Sequence, residues 1–546
     1  MNNNKKVLLC ALNSKFIHSC LSVYYLKKYA EIHGVDKNRI QIKEFTINDT
    51  QDYILNGIFS SEADIIGFPV YIWNCDYVSK LCKLIKKISP EKIILLGGPE
   101  VSFIENHPYF DKEDFDFIIR GEGEKSFCSF LKDGIISEEI EKDFNNIPFP
   151  YDEENISLFK NRIVYYETSR GCPFSCAYCL SSQEKTLKFL PVERVKKELE
   201  FFALHDVKQV KFVDRTFNAD KKRAFEIWNF IIEKFSETDM NFHFEIAADL
   251  LDDNLIELLS TSPCGLIQLE IGIQSTNDET LTLNCRKTDT KKVLSNIEKL
   301  LTNSNINIHT DLIAGLPGEN LDIFKKSFND VYFLKSHQLQ LGFLKLLHGT
   351  EMVNLSKKYD FIFSPYTPYE VLSNKDLSHN EILLLKKFED VFEKIYNSGR
   401  FVLSMNVLEK HFENPFEMFL KITEFFSEKN LSFVSVSTKE IYNILHDFYE
   451  KFIDDNTNNF DEKLLTDFYL SEKSDVIPIS LRYLLPLNKV ASEKSSAILH
   501  SLSLQKQRGL MVRFVGEKTF IVDYTDRNKV TGRFSCTDYC TEISSI

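Results

Sequence analysis

No apolar run in this 546-residue chain is both long enough and free enough of charge to cross a bilayer or act as a secretory core. Neither a membrane span nor a secretory leader is therefore expected, and the expected compartment is the cytoplasm. Positive charge is also short: 66 Lys and Arg against 80 Asp and Glu leave a formal net charge of -14. A duplex-binding surface needs clustered Lys and Arg, so DNA is not an expected partner. No Gly-x-Gly-x-x-Gly follows the first strand-like segment, which disfavours a dinucleotide site. Internal repeats and low-complexity tracts are missing as well. The twelve cysteines, in a reducing compartment, are expected as free thiols rather than disulfides.

What is present is an ordinary globular composition, 43% hydrophobic and 27% charged, on a chain long enough for two or three domains. One short stretch organises it: Arg170-Gly171-Cys172-Pro173-Phe174-Ser175-Cys176-Ala177-Tyr178-Cys179. This C-x3-C-x2-C run follows an apolar segment, Ile163 to Tyr166, that reads as a strand. Gly171 and Pro173 make a tight loop in which three thiols converge. Converging thiolates favour soft metals, either zinc or an iron–sulfur cluster. A structural zinc site wants a fourth Cys or His nearby, and the next cysteine is Cys264, far downstream. Three ligands without a fourth suit a 4Fe–4S cluster with one open iron. Three unrelated cysteines in a buried loop, or a zinc-holding binding protein, are the alternatives.

The spacing, with aromatic Tyr178 just before the last cysteine, resembles the signature of the radical S-adenosylmethionine (SAM) enzymes. The resemblance implies that the open iron binds SAM and that an electron from the cluster cleaves it to a 5′-deoxyadenosyl radical. It also implies a reductant such as flavodoxin or ferredoxin.

Ahead of that loop, residues 5 to about 135 alternate short apolar strands with amphipathic helices, the pattern of a parallel α/β sheet. Strands are expected at Val7–Leu12, Ile40–Phe45, Asp64–Val70, Ile93–Leu96 and Phe115–Ile119. Ligands of such sheets bind at the strands' carboxyl ends. This domain resembles the cobalamin-binding domain found in one branch of the radical SAM enzymes. The matching positions are Ser14 in the first loop, Pro69-Val70-Tyr71, Gly97-Gly98 and Glu122. The Asp-x-His-x-x-Gly motif of other cobalamin proteins is missing, and His18 reads as a loop or helix-start residue. Methylthiotransferases also place an α/β domain here with three extra cluster cysteines, but Cys10, Cys20, Cys75, Cys82 and Cys128 do not follow that arrangement.

Residues 141–160 read as a linker. Six further strand–helix units then suggest a partial parallel barrel, whose chemistry sits at the carboxyl ends of its strands. The family resemblance implies that Asp214 and Thr216 meet the methionine part of SAM. Glu245 lies at the end of the third strand, Glu270 and Gln274 are suited to ribose hydroxyls, and Gly315-Leu316 lie on the adenine side. Lys345 and His348 could face substrate, or be a surface lysine and a turn histidine. Beyond Pro365 the pattern turns helical, opening with a capping box at Ser378 to Glu381, and a short hairpin is expected at Leu510–Tyr524. Cys536 and Cys540 supply too few thiols for another metal site.

The expected fold class is α/β: an N-terminal Rossmann-like parallel sheet (1–140), a partial (β/α)6 barrel (161–360) and a mainly α-helical C-terminal domain (361–546). The expected function is that of a cobalamin-dependent radical SAM enzyme transferring a methyl group to an unactivated carbon. Rearrangement, cyclisation or methylthiolation without cobalamin is the alternative.

Overall fold

A computed structural model describes residues 5–103, 107–303, 305–429, 436–455, 459–486, 488–501 and 509–539. Its first unit is a five-stranded parallel sheet in the order β2-β1-β3-β4-β5. The strands are β1 (Val7–Asn13), β2 (Ile40–Thr46), β3 (Ile65–Pro69), β4 (Ile93–Gly97) and β5 (Phe117–Ile119). Helices α1 (Leu21–Ile32), α2 (Gln51–Phe59), α3 (Cys75–Ile88), α4 (Pro99–Ser102) and α5 (Glu124–Asp133) connect them. Every residue of β1 is buried, as a strand covered on both faces requires. Leu8, Cys10 and Leu12 pack toward α2 and α3, while Val7, Leu9 and Ala11 belong to the core shared with the rest of the chain. Strand order reverses at β1, so the cleft over the carboxyl ends of β1 and β3 is where such a sheet takes a ligand.

The second unit is a six-stranded, all-parallel sheet: β6 (Val164–Tyr166), then β9 (Gln209–Phe212), β10 (Asn241–Ile246), β11 (Ile267–Gln274), β12 (Asn307–Ala314) and β13 (Gln338–Phe343). Two short strands, β7 (Ser169–Arg170) and β8 (Lys188–Phe189), pair antiparallel between the first two. Helices α6 (Val192–Leu204), α7 (Lys221–Phe235), α8 (Asp253–Ser260), α9 (Asp278–Leu283), α10 (Thr290–Leu301) and α11 (Leu321–Tyr332) lie between the strands. In β11 and β12 buried and half-buried residues alternate strictly. Leu269, Ile271, Ile308 and Leu312 face the helices, leaving Glu270, Gly272, Gln274, His309 and Asp311 for the barrel interior.

The remainder is mainly helical. α12 (Met352–Lys358) and a small ribbon of β14 (Ile362–Phe363) and β15 (Val371–Ser373) lead into α13 (His379–Phe392), which starts on the expected Ser378–Glu381 capping box. α14 (Val402–Leu408), α15 (Pro415–Glu428), α16 (Thr438–Phe452), α17 (Asn459–Ser471) and α18 (Asn488–Ser501) follow. The expected hairpin is present as β16 (Leu510–Val515) and β17 (Lys518–Arg527), and a third strand, β18 (Phe534–Tyr539), joins it. Cys540 lies outside the described residues. Among the described residues no helix is long and apolar enough to cross a membrane. The α/β sheet, partial barrel and helical C-terminal region agree with the fold class read from the sequence.

An aromatic knot fastens the C-terminal helices to the barrel. Fully buried Phe328 of α11 meets Phe388, Phe392, Phe416 and Phe419 at ring-centroid distances of 5.1, 5.2, 5.6 and 6.4 Å. Phe328→Ala is expected to cost about 3–5 kcal/mol. Unfolding in urea should show it, with barrel and C-terminal probes losing stability together.

Candidate functional site

The three cysteines leave the barrel at the carboxyl end of β6, in a loop whose base is closed by the β7–β8 ribbon. Gly171 has φ +89°, and a Cβ there would stand 2.4 Å from the Thr186 carbonyl oxygen, so only glycine fits. The Cys172 amide donates to Glu184 O (2.9 Å), Ala177 N to Asn284 O (2.9 Å), and Met352 N to Ala177 O (2.8 Å). Cys172 and Cys176 are buried and Cys179 is partly exposed. Among the described residues one His, Cys or carboxylate trio has ligand atoms all within 4.8 Å of one another, and it is not this one. A zinc tetrahedron with Zn–S bonds of about 2.3 Å has sulfur–sulfur edges of roughly 3.8 Å. The wider spread of these thiols suits a polynuclear cluster, whose irons hold the sulfurs apart.

Polar groups without partners surround the loop. Arg286, which sequence reasoning missed, places Nη1 3.7 Å from Cys176 Sγ while Nη2 donates to the Gly272 carbonyl. Its Nε is buried and unpartnered, as are Tyr178 Oη, Gln274 Oε1 and Asp311 Oδ1. Thr216 Oγ1 lies 3.6 Å from Cys172 Sγ. Gln274 sits at a break in the β11–β12 register with φ +73°, a strained conformation of the kind that gathers at ligand sites. Buried polar atoms left unpaired are costly in a closed fold. Their chemistry suits the amine, carboxylate and hydroxyl groups of a polar cofactor.

Three carboxylates expected at ligands have partners within the protein. Asp214 accepts from Thr168 N (2.9 Å), Thr168 Oγ1 (2.6 Å) and Ser169 Oγ (2.5 Å), so both oxygens anchor the root of the cysteine loop. Glu270 receives Lys211 Nζ at 3.0 Å and lies 3.0 Å from His243 Nε2. The His243 contact and the Lys211 charge hold its carboxyl near about 2 despite burial. Glu122 bridges Arg170 (2.9 Å) and Lys188 (2.7 Å), which fastens the cysteine loop to the first sheet. Glu245 differs: burial first, then the Glu270 charge, raise its pKa. Burial pushes Asp311 up to about 7, aided by the Glu270 and Glu245 charges.

The glycine positions are also explained from within. Gly98 has φ +103° and a Cβ there would meet Val70 O at 2.6 Å; Gly315 has φ +92° and would strike Val371 Cγ1 at 2.7 Å. Gly315 O accepts from Asn374 Nδ2 (2.9 Å), and Leu316 is fully buried. Val70 N donates to Gly97 O (2.7 Å), and Pro69 O accepts from Asn74 Nδ2 (3.0 Å). On the sheet's ligand side this leaves Ser14 and Tyr71, the latter stacked on Trp73 with centroids 4.4 Å apart. His18 is a loop residue, as expected, and its Nδ1 lies 2.7 Å from Tyr165 Oη of β6, joining the two units beside the cleft. Lys345 is exposed, whereas His348 turns inward against Tyr369. The five N-terminal cysteines are each buried, in β1, before α1, along α3 and in α5, and form no group of three.

Two outcomes follow from this geometry. Gly171→Ala forces a left-handed alanine against backbone, a strain of at least about 1–2 kcal/mol. Anaerobic reconstitution of that variant should recover much less iron than wild type. Burial holds the Glu319 carboxyl up at about 7 from 4.5, against hydrogen bonds from Ser275 and Ser327. A raised folded-state pKa means stability that is full below 4.5 and lost as pH rises toward 7. Glu319→Gln should therefore gain relative to wild type across that window, by up to roughly 3 kcal/mol, in thermal melts at stepped pH.

Three family models match successive parts of the chain: a B12 binding domain over residues 8–131, the Radical SAM superfamily over 166–331, and a protein of unknown function, DUF4080, over 357–508. A 2-(S-pantetheinyl)-carbapenam-3-carboxylate methyltransferase of Streptantibioticus cattleyicolor is 25% identical over 329 residues, 51% of this chain and 46% of that one. The cobalamin-dependent radical SAM methyltransferase TokK of Streptomyces tokunonensis is 25% identical over 318 residues, with the same coverage. The chain thus spans about half the length of these curated relatives. Among solved structures, the cobalamin-dependent SAM radical enzyme OxsB with aqua-cobalamin and SAM bound aligns with a TM-score of 0.54 at 16% identity, over 85% of this chain and 83% of that one. The radical SAM methyltransferase TsrM from Kitasatospora setae aligns with a TM-score of 0.52 at 13% identity, over 66% and 77%. A radical SAM domain takes a 4Fe–4S cluster and SAM, and a B12 binding domain takes cobalamin. The chain therefore carries a B12 binding domain (8–131), a radical SAM domain (166–331) and a DUF4080 region (357–508), in that order.

Proposed function

We propose that this protein is a cobalamin-dependent radical SAM methyltransferase that methylates an unactivated carbon. The observation that carries the reading is the placement of the cysteine loop against the ligand side of the first sheet, held there by Arg170 between Glu122 and Glu124. Bound together, cluster, SAM and methylcobalamin supply a hydrogen-abstracting radical and a transferable methyl group.

Cys172, Cys176 and Cys179 hold the cluster. The Arg286 guanidinium against Cys176 favours added negative charge on reduction, and Thr216 steadies Cys172. Gln274, Glu245, Tyr178 and the Gly315-Leu316 backbone hold SAM, with Asp311 as a further polar partner. Ser14 and Tyr71 contact the corrinoid from the sheet side, where the Tyr71–Trp73 stack makes an apolar platform. The wall formed by Tyr165, Lys211, His243 and Glu270 excludes bulk water and offers substrate hydrogen bonds. A small flavodoxin or ferredoxin supplies the electron.

The test is an anaerobic incubation of holoprotein with SAM and dithionite, reading 5′-deoxyadenosine and S-adenosylhomocysteine together. Both are expected from wild type and neither from Cys176→Ala. Radical cleavage without S-adenosylhomocysteine, from protein that retains no corrinoid, would overturn methyl transfer.

A further inference from the structure

Outside the cysteine loop, one cluster has the composition and spacing of a mononuclear metal site. Cys75 opens α3, Glu100 lies in α4, and His107 follows on the same side of the first sheet. Cys75 is fully buried, and the His107 and Glu100 side chains are only 6% and 8% exposed. Cys75 Sγ lies 3.6 Å from His107 Nε2, and that nitrogen lies 3.2 Å from Glu100 Oε1. A tetrahedral zinc ion has sulfur–nitrogen and nitrogen–oxygen edges of roughly 3.6 and 3.3 Å, from its usual bond lengths. Two of the trio's three edges thus already match a zinc tetrahedron, and all three ligand atoms lie within 4.8 Å of one another.

A second observation points the same way. His348, from the loop after β13, has its Nε2 buried and without a partner; its ring centroid is 6.4 Å from that of His107, outside the 4.8 Å trio, so a shift of this loop residue is needed to complete the tetrahedron. Tyr369 Oη donates to Glu100 Oε1 at 2.5 Å, orienting the carboxylate as the outer hydrogen bonds of metal ligands do. These donors come from three parts of the chain: the first sheet, the barrel's last loop and the segment that enters the C-terminal region. Gly349 packs on Phe103 at the same junction, where a Cβ would fall 2.5 Å from the ring.

We infer that Cys75, Glu100, His107 and His348 form a zinc site that locks the first sheet to the barrel and C-terminal region. On binding, zinc displaces the Cys75 thiol proton, and the imidazole proton of His107 moves from Nε2 to Nδ1. The move gives up a 3.3 Å contact from the Tyr109 amide. No electron is exchanged. Soft sulfur beside imidazole and carboxylate selects zinc over magnesium or calcium.

The test uses full-length holoprotein, reconstituted with iron, sulfide and hydroxocobalamin, then equilibrated with equimolar zinc and desalted. Zinc, iron and cobalt are read together by mass spectrometry. About one zinc per chain is expected in wild type, lost in Cys75→Ser and His107→Ala while iron and cobalt stay unchanged. Zinc should also raise the melting temperature of wild type but not of Cys75→Ser, whose retained iron shows that it folds. Absence of zinc from wild type, equal zinc in the variants, or displacement of zinc by hydroxocobalamin would each overturn the site. None of these results bears on SAM cleavage, which is read separately.

Discussion

The structure depends on one buried cation. Arg170 stands immediately before Gly171-Cys172, with carboxylates of Glu122, Glu124 and Glu167 at 2.9, 2.5 and 3.1 Å. The Phe144 ring lies 4.8 Å from its guanidinium carbon, and the Tyr25 ring 5.7 Å. Two of those carboxylates belong to the first sheet's last loop and helix, and one to the barrel. The distance from the cysteine loop to the first sheet is thus fixed by a buried ion network. Removing one member of such a network leaves an uncompensated charge, a loss of about 3–5 kcal/mol. Three carboxylates around one guanidinium are also more negative charge than it can balance. Burial accordingly raises Glu167 to about 7, with the Glu124 and Asp214 charges adding to the rise and Arg170 opposing it.

The same logic separates the two halves of the barrel's polar interior. Lys211 and Glu270 pair at 3.0 Å across the strands, and His243 Nε2 lies 3.0 Å from the same carboxylate without a hydrogen bond of good geometry. Gln274, Asp311, Arg286 and Tyr178, nearer the strand ends and the cysteines, each keep an atom without a partner. A finished network costs nothing further to keep dry, whereas an unfinished one loses free energy until a ligand completes it. The gathering of such unpartnered atoms beside the cysteines, rather than the presence of charge, marks the part of the barrel suited to a cofactor.

Strand positions were legible because apolar alternation is a local property. Helix Val192–Leu204 and the hairpin turning at Gly516 follow from short-range pattern alone. The direction of a carboxylate at a strand end is different. Asp214 and Gln274 both sit where ligands are expected, yet Asp214 finds Thr168 and Ser169 across 46 and 45 residues of chain. Nothing local announces such a partner. Glycine is ambiguous in a related way: a Cβ at Gly98 would strike Val70 and one at Gly315 would strike Val371, so packing alone already requires glycine at both. Arg286 left only a weak trace, a lone arginine after Cys285. Strand β18 was hidden by its polar composition, as an edge strand's often is.

The C-terminal region therefore does more than cover the barrel. Asn374 holds the Gly315 carbonyl, and Asp376 accepts from the Gly318 amide at 2.7 Å. Met352 N reaches the cysteine loop itself through Ala177 O. Each contact fixes a backbone group at the carboxyl ends of β6 and β12, where the cofactor space lies. A partial barrel of six strands has an open side, and its end loops lack the neighbours that a closed barrel would supply. Here the missing neighbours come from residues 352–382, which pack Val371 and Ile382 against Gly315. The barrel's ligand end is thus shaped by chain that follows it, and the site is complete only when the third unit has docked.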